Sequence, residues 1–379
     1  MSESGAARAG GARKLRVGVV FGGRSTEHEI SIMSARNVVA ALDPMRFETV
    51  LIGIDKNGRF RLHDARALGA VSAREGEWVD APLVTLAPRA GAAELVLEPG
   101  AAPRAAIDVV FPVLHGPLGE DGTVQGLLEL LDVPYVGSAV LGSALGMDKD
   151  VAKRLLRAAG IPVGPFVTLR KAEFEREPRA VCRAAAALGF PLFTKPANAG
   201  SSVGVRRVTQ ESDVESALLH AFAFDTKALA EVAIEGREIE VAVLGNEEPL
   251  ASVPGEIVVQ HADGFYSYEA KYLDEHGALL KIPAELSSEK TREVQALALA
   301  TFLALECRGL SRVDFFLRPN GELLVNEINT MPGFTAVSMY PKLWEASGIG
   351  PAALVARLIE LAFERKQQQR ALCHDASGR

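Results

Sequence analysis

Asp314, Glu327, Asn329 and Arg312 fall in one segment, residues 311–330, whose pattern can bring them together. Two apolar runs flank Asn320-Gly321, and such a pair signals a hairpin because both residues tolerate positive φ. With those two as the central turn residues, the numbers of paired residues add to 641, so Asp314 faces Glu327 and Arg312 faces Asn329. Side chains two apart on a strand share a face, so all four polar groups converge on one patch. Two carboxylates and an amide oxygen side by side repel one another unless a hard cation sits between them. Oxygen-only ligands of this kind suit Mg²⁺, which keeps several waters and takes its remaining ligands from nucleotide phosphates. The alternative is a solvated hairpin face with scattered charges, against which the shared face of Arg312 and Asn329 weighs.

The elements around this segment must come from a chain of 379 residues, a length that predicts two or three domains. Hydrophobic residues at 48% and charged residues at 23% give the balance of a globular protein. A net charge of -7 without a basic stripe argues against a nucleic-acid partner. Cys182, Cys307 and Cys373 are far apart and odd in number, which fits reduced thiols better than a disulfide framework. Residues 1–14 read as a disordered leader and 367–379 as a flexible tail. No run of signal-peptide or membrane-spanning length occurs, so a cytoplasmic protein without a membrane partner is expected.

Residues 15–21 read as a buried parallel strand ending at Gly22-Gly23-Arg24-Ser25, with a helix over 27–42. A second buried strand, 107–114, ends at His115-Gly116 and is followed by a helix from about Thr123. Both loops lie at the carboxyl ends of strands, where open parallel sheets place their ligands. Helices are expected over 149–159 and 177–188, and strands over 191–195 and 205–208. The strands enclose the loop Pro196-Ala197-Asn198-Ala199-Gly200-Ser201-Ser202-Val203-Gly204. No helix follows it, so it is neither a Walker loop nor a Rossmann turn; its backbone N–H groups could still cover phosphates, or it could be a plain hairpin turn. Strands over 228–233 and 237–244, a helix over 289–305, the hairpin and a closing helix over 351–365 complete the reading.

Together these segments resemble the D-alanine–D-alanine ligases of the ATP-grasp superfamily, over nearly the whole chain. Five motifs stand in family order: residues 22–31, His115-Gly116 with Gly119-Glu120-Asp121-Gly122, Lys195-Pro196 with residues 200–204, residues 268–272, and residues 326–335. The resemblance implies an α/β fold, α+β in its ATP-binding part. It implies a three-domain ATP-grasp architecture, with an N-terminal parallel-sheet domain and the nucleotide held between two sheets. The expected limits are 15–142 for the N-terminal domain, 143–230 for the central one and 231–366 for the C-terminal one.

The activity it implies is ATP-dependent joining of two D-alanines through a D-alanyl phosphate, the alternative being another ATP-grasp carboxylate–amine or carboxylate–hydroxy-acid ligase, making D-alanyl-D-lactate or D-alanyl-D-serine. Asp314, Glu327 and Asn329 match the ligands of two Mg²⁺ or Mn²⁺ ions. Lys149, Lys195, Ser202, Lys271 and Asn326 match nucleotide-site residues, Glu231 with Val232, Ala233 and Ile234 the adenine hinge, and Glu238 the ribose carboxylate. Glu27, Ser201 and Tyr272 match the group that orients the first D-alanine, with His115 beside them. Arg312 and the Gly333 N–H match the oxyanion donors, while Ser338 and Met339 match the second amino-acid subsite. An intact Lys271-Tyr272 pair favours D-alanine as second substrate, and the family implies a homodimer. Thr194, Ala199 and Ala336 depart from the usual pattern without removing a functional group.

Overall fold

The computed structural model describes residues 13–64, 81–89, 92–97, 104–259 and 278–372. The first layer joins β1 (Leu15–Gly22), α1 (His28–Ala41), β2 (Phe47–Ile54) and β3 (Phe60–His63). A small antiparallel sheet of β4 (Val84–Arg89), β5 (Ala92–Leu97) and β6 (Arg104–Ile107) precedes β7 (Val109–Val113). The main sheet runs β3-β2-β1-β7, with β1 parallel to both β2 and β7 and only β3 antiparallel. β7 and, beyond Arg16, the rest of β1 read as apolar runs because both faces of this sheet are covered. The expected strand over 107–114 divides at Asp108, which accepts from the Arg16 N–H at 2.7 Å and separates β6 from β7.

Three helices then lead out of the first sheet: α2 (Thr123–Leu130), α3 (Val140–Met147) and α4 (Lys149–Ala158). Asp148 caps α4 by accepting from the Val151 N–H at 3.1 Å. Next come β8 (Phe166–Arg170), α5 (Lys171–Arg176), α6 (Pro178–Ala186), β9 (Leu192–Pro196), β10 (Arg206–Val208), α7 (Val214–Ala221) and β11 (Lys227–Val232). Their sheet has the order β10-β9-β11-β8 and is antiparallel throughout.

The last sheet uses β12 (Arg237–Gly245), β13 (Leu250–Ala251), β14 (Gly255–Val259) and β15 (Ala278–Lys281). After α8 (Ser288–Ala304) it adds β16 (Gly309–Leu317) and β17 (Leu323–Asn329), in the order β15-β14-β12-β16-β17. α9 (Met339–Ala346) and α10 (Pro351–Arg370) close the chain, packed with α1 and the first sheet in one apolar cluster.

The hairpin holds a correction. Asp314 does face Glu327, and Arg312 faces Asn329. Nearer the turn, however, Phe315 pairs with Val325 and Leu317 with Leu323, one residue away from the expected register. The turn is a three-residue loop: Arg318 N–H donates to Glu322 at 2.9 Å, and Gly321, with φ at 85°, carries the left-handed conformation. A bulge between Asp314 and Phe315 absorbs the difference, with Asn326 as the extra residue. The hydrophobic pattern selects this arrangement. A regular ladder would put Leu323 and Val325 on the face of Asp314, whereas the bulge buries both with Val313, Phe315 and Leu317.

The chain ends are also better anchored than expected. α10 runs to Arg370, past the predicted start of the tail, because Lys366 reaches Asp132 at 2.8 Å and Arg370 reaches it at 3.2 Å. Arg13, placed in the leader by its sequence, pairs with both carboxylate oxygens of Asp108. Cys182 and Cys307 are free thiols, and Cys373 lies outside the described residues.

Candidate active site

Two clefts meet between the sheets. One lies between the β9–β11 layer and the β12–β16–β17 layer, and Lys195, Ser202, Glu231, Glu238 and Asn326 line it. The other opens toward α1, with Glu27, His115, Arg312, Gly333 and Ser338 on its walls. Lys149, Ser201 and Glu327 border both. A group transferred from one cleft to the other would therefore pass these three side chains.

In the first cleft, Lys195 ends β9 with its ammonium 2.9 Å from Glu231, and Lys153 approaches the same carboxylate at 3.4 Å. All three are nearly dry. Burial would raise the Glu231 carboxyl, but the two ammonium groups outweigh it and hold it below the usual range. Burial pushes Lys153 down to about 8, against the pull of Glu231. Val232 and Ala233 donate their N–H groups to Pro165 at 3.1 Å and Pro191 at 3.0 Å, fixing the path that Ile234 continues along the cleft. Lys149 binds the small-residue loop twice, through its main-chain N–H to Ala197 at 3.1 Å and its ammonium to Ala199 at 2.7 Å. Burial disfavours its charge, but Glu327 at 3.3 Å and other carboxylates raise its pKa overall. The departure at Thr194 is harmless, since its buried hydroxyl donates to Ala217 at 3.3 Å.

The loop over the junction holds Ser201 and Ser202 at φ of 48° and 59°. Left-handed non-glycine residues cost on the order of 1–3 kcal/mol each and persist where surroundings over-determine them. Here Ser201 Oγ donates to Glu27 Oε1. Glu27, just ahead of α1, is buried, and among the described residues its Oε2 has no hydrogen-bond donor. A Cβ at Gly200 would come 2.6 Å from that oxygen, and one at Gly116 2.8 Å from it. Glycine at both positions lets the carboxylate sit so deep. A buried carboxylate oxygen with room only for a small donor suits an ammonium group.

Three carboxylates form a row across the last sheet, Glu240 on β12, Asp314 on β16 and Glu327 on β17. Arg312 donates to both oxygens of Asp314 at 2.7 Å and lies 2.9 Å from Glu240. Burial opposes the charge of Arg312, but Asp314 and Glu240 outweigh it and raise its pKa further. The hairpin reading missed Glu240, although the alternation Glu238-Ile239-Glu240 already puts it on the site face. The donor set of Asp314, Glu327 and Asn329 is all oxygen and fits a hard divalent cation. Asp314 takes neutralising charge from Arg312 at 2.7 Å and Glu327 from Lys149 at 3.3 Å. Among the described residues, three or more His, Cys, Asp or Glu side chains nowhere converge as a ready metal cluster, so the amide of Asn329 would be needed.

Near α1, Glu120 accepts the Gly116 N–H at 2.7 Å, and burial together with Glu27 raises its carboxyl to about 8. Sequence reading passed over it inside the Gly119-Glu120-Asp121-Gly122 motif. Ser338 Oγ accepts from the Thr335 N–H at 2.9 Å and lies 2.8 Å from the Thr335 hydroxyl, with Met339 buried beside it. Lys271 and Tyr272 lie outside the described residues.

The D-ala D-ala ligase N-terminus model matches residues 16–138, and the D-ala D-ala ligase C-terminus model matches 155–360. D-alanine--D-alanine ligase A of Chromobacterium violaceum is 49% identical over 367 residues, 95% of this chain and 98% of that protein. The structure of the D-alanine-D-alanine ligase from Coxiella burnetii has a TM-score of 0.80 at 41% identity, covering 95% of this chain and 97% of that one. The VanG D-Ala:D-Ser ligase from Enterococcus faecalis also gives 0.80, at 34% identity, covering 92% of this chain and all of the other. Two family models in order, together spanning most of the chain, and a relative 49% identical over 95% of it place this chain in the D-alanine–D-alanine ligase family.

Proposed function

We propose that this protein joins two D-alanines into D-alanyl-D-alanine at the expense of ATP, for peptidoglycan precursor synthesis. The observation that carries the reading is the junction of the two clefts at Lys149, Ser201 and Glu327, with Glu27 behind it. In this reading Glu231 and residues 232–234 hold the adenine and Glu238 the ribose. Lys149, Lys195, Lys271, Ser202 and Asn326 address the phosphates. The ammonium of the first D-alanine meets Glu27 Oε2, leaving its carboxylate directed at the γ-phosphorus. A carboxylate oxygen forms a bond to that phosphorus as the bond to ADP breaks, giving D-alanyl phosphate. Phosphoryl transfer of this kind depends on positioning and charge neutralisation, which the two Mg²⁺ or Mn²⁺ ions held by Asp314, Glu327 and Asn329 supply when bound.

Ser338, beside Met339, receives the carboxylate of the second D-alanine. Its amine attacks the acyl carbon, and the developing oxyanion accepts from the Nη1 end of Arg312 and from the Gly333 N–H. Preorganised donors of this sort contribute roughly 2.7–4 kcal/mol each. Collapse of the tetrahedral species expels phosphate. The Ser201 contact with Glu27, together with Tyr272, keeps water away from the acyl phosphate. A cytoplasmic homodimer with domain limits at 142/143 and 230/231 completes the proposal; no single helix among the described residues is long and apolar enough to cross a membrane.

Incubation with ATP, Mg²⁺ and D-alanine, with phosphate release measured and the product identified by mass, tests the reading. D-alanyl-D-alanine is expected. A mixed product when D-serine or D-lactate is offered alongside would favour the alternative substrates, and no release under any condition would refute the enzyme.

A further inference from the structure

His115 is buried on the wall of the second cleft, and both of its ring nitrogens are engaged. Its Nδ1 lies 3.1 Å from the Met331 carbonyl, which can only accept, so Nδ1 carries the proton. Nε2 lies 3.2 Å from Ser34 Oγ and takes the hydroxyl proton. Burial lowers the imidazole pKa, in keeping with a neutral ring, although Glu27 and the Met331 bond pull the other way. Ser34 Oγ in turn accepts the Phe334 N–H at 3.1 Å. Three residues further along α1, the exposed Asn37 donates its amide to the Phe334 carbonyl at 2.7 Å.

These bonds hold the Met331–Pro332 peptide group before Gly333 and the Gly333–Phe334 and Phe334–Thr335 groups after it, bracketing the group that carries the Gly333 N–H, while glycine has the least conformational restraint of its own. α1 is itself fixed, because Ser31 Oγ accepts the Gly22 N–H at 2.8 Å and donates to the Val113 carbonyl. Glu27, at the start of the same helix, lies seven residues before Ser34, about 10 Å along the axis at 1.5 Å per residue. Resting on the proposed oxyanion role of Gly333, we infer that Ser34, with Asn37 in support and His115 as its partner, is a positioning residue for the second chemical step. One helix then sets the spacing between the anchor of the first amino acid and the donor that serves the tetrahedral intermediate.

Ser34→Ala removes the acceptor of Phe334 and the donor to His115. A displaced donor costs up to about 100-fold, so kcat for dipeptide formation is expected to fall roughly 10–100-fold by the same principle. The D-alanine-dependent exchange of labelled ADP into ATP, which reports acyl phosphate formation and reversal, is expected to stay near wild type, as is KM for ATP. Ser34→Thr, which keeps the hydroxyl, is expected to recover most of the loss. Equal loss of both partial reactions in a folded Ser34→Ala protein, or no loss of either, overturns the inference. If that variant does not fold, Asn37→Ala at the exposed position reads the same split. Arg312→Gln separates the two ideas. A defect in its dipeptide step beside a normal Ser34→Ala overturns only the inference, whereas a normal dipeptide step in Arg312→Gln removes the oxyanion reading as well.

Discussion

Among single residues, Glu120 makes the sharpest prediction. Burial and the nearby Glu27 push its carboxyl up to about 8, from an ordinary 4.5. The folded chain therefore holds a proton that the unfolded chain releases between those values. The stability this contributes is fully present below the ordinary value and is lost as pH rises through the folded one. Thermal melts of wild type and Glu120→Gln from about pH 5 to about pH 9 should converge at the acid end and part toward the alkaline end, wild type falling faster. Parallel curves would mean that Glu120 is ionised throughout. Residues of this kind were poorly legible in the sequence. Glu120 and Ser34 act through burial and through partners far along the chain, and no spacing rule reports that. Arg312 and Asp314 were legible because strand alternation puts them on one face, and Glu327 joined them in the reading because the turn and the bulge depart from it by one residue each and cancel.

At the scale of elements, most helices and strands follow from apolar runs and their punctuation, with ends shifted by a residue or two. β1, α1, β9 and α8 are examples. The hairpin shows where such reading stops. Asn-Gly suggested a two-residue turn, yet the chain adopts a three-residue loop and then inserts Asn326, so two departures cancel at the site. Burial of Leu323 and Val325 overrode turn preference, because two aliphatic side chains are worth about 1.5–3 kcal/mol each. Asn326 thereby gains a place beside Glu327 in the cleft proposed to hold the nucleotide. Its deletion should leave Asp314 facing Glu327 and Phe315 facing Val325. A single cooperative melt is expected to survive while KM for ATP rises by about 10-fold or more, the cost of one to two hydrogen bonds to a charged group. A collapse of the melt would show that the bulge also holds the sheet together.

The whole molecule depends on α10 returning to the first domain. The buried guanidinium of Arg365 donates to the carbonyls of Gly137 and Tyr135, the latter at 3.0 Å, and stacks 4.2 Å over the Tyr135 ring. Arg365→Met would leave two buried carbonyls without donors, a loss of about 2–5 kcal/mol in urea titration. Arg370→Ala, which breaks an exposed pair with Asp132, should cost less than about 1 kcal/mol in the same measurement. Similar losses for both would mean that the helix end matters only as a helix. The sequence hid this anchorage because a Gln-rich ending looks soluble wherever it lies, and only the packed partner at 132–137 distinguishes it from a loose tail.

The bulged hairpin has an unbulged twin with the same number of residues and the same contacts at 312/329 and 314/327. Evidence of proximity gathered at the site, by cross-linking or by paired substitutions, is therefore blind to which twin is present; only pairs nearer the turn, such as Phe315 with Val325, tell them apart. Anyone transplanting this carboxylate patch into another scaffold with a tight two-residue turn would reproduce the 312/329 and 314/327 contacts and still turn Leu323 and Val325 outward. Such a graft would look correct at its chemistry and fail as a folded protein.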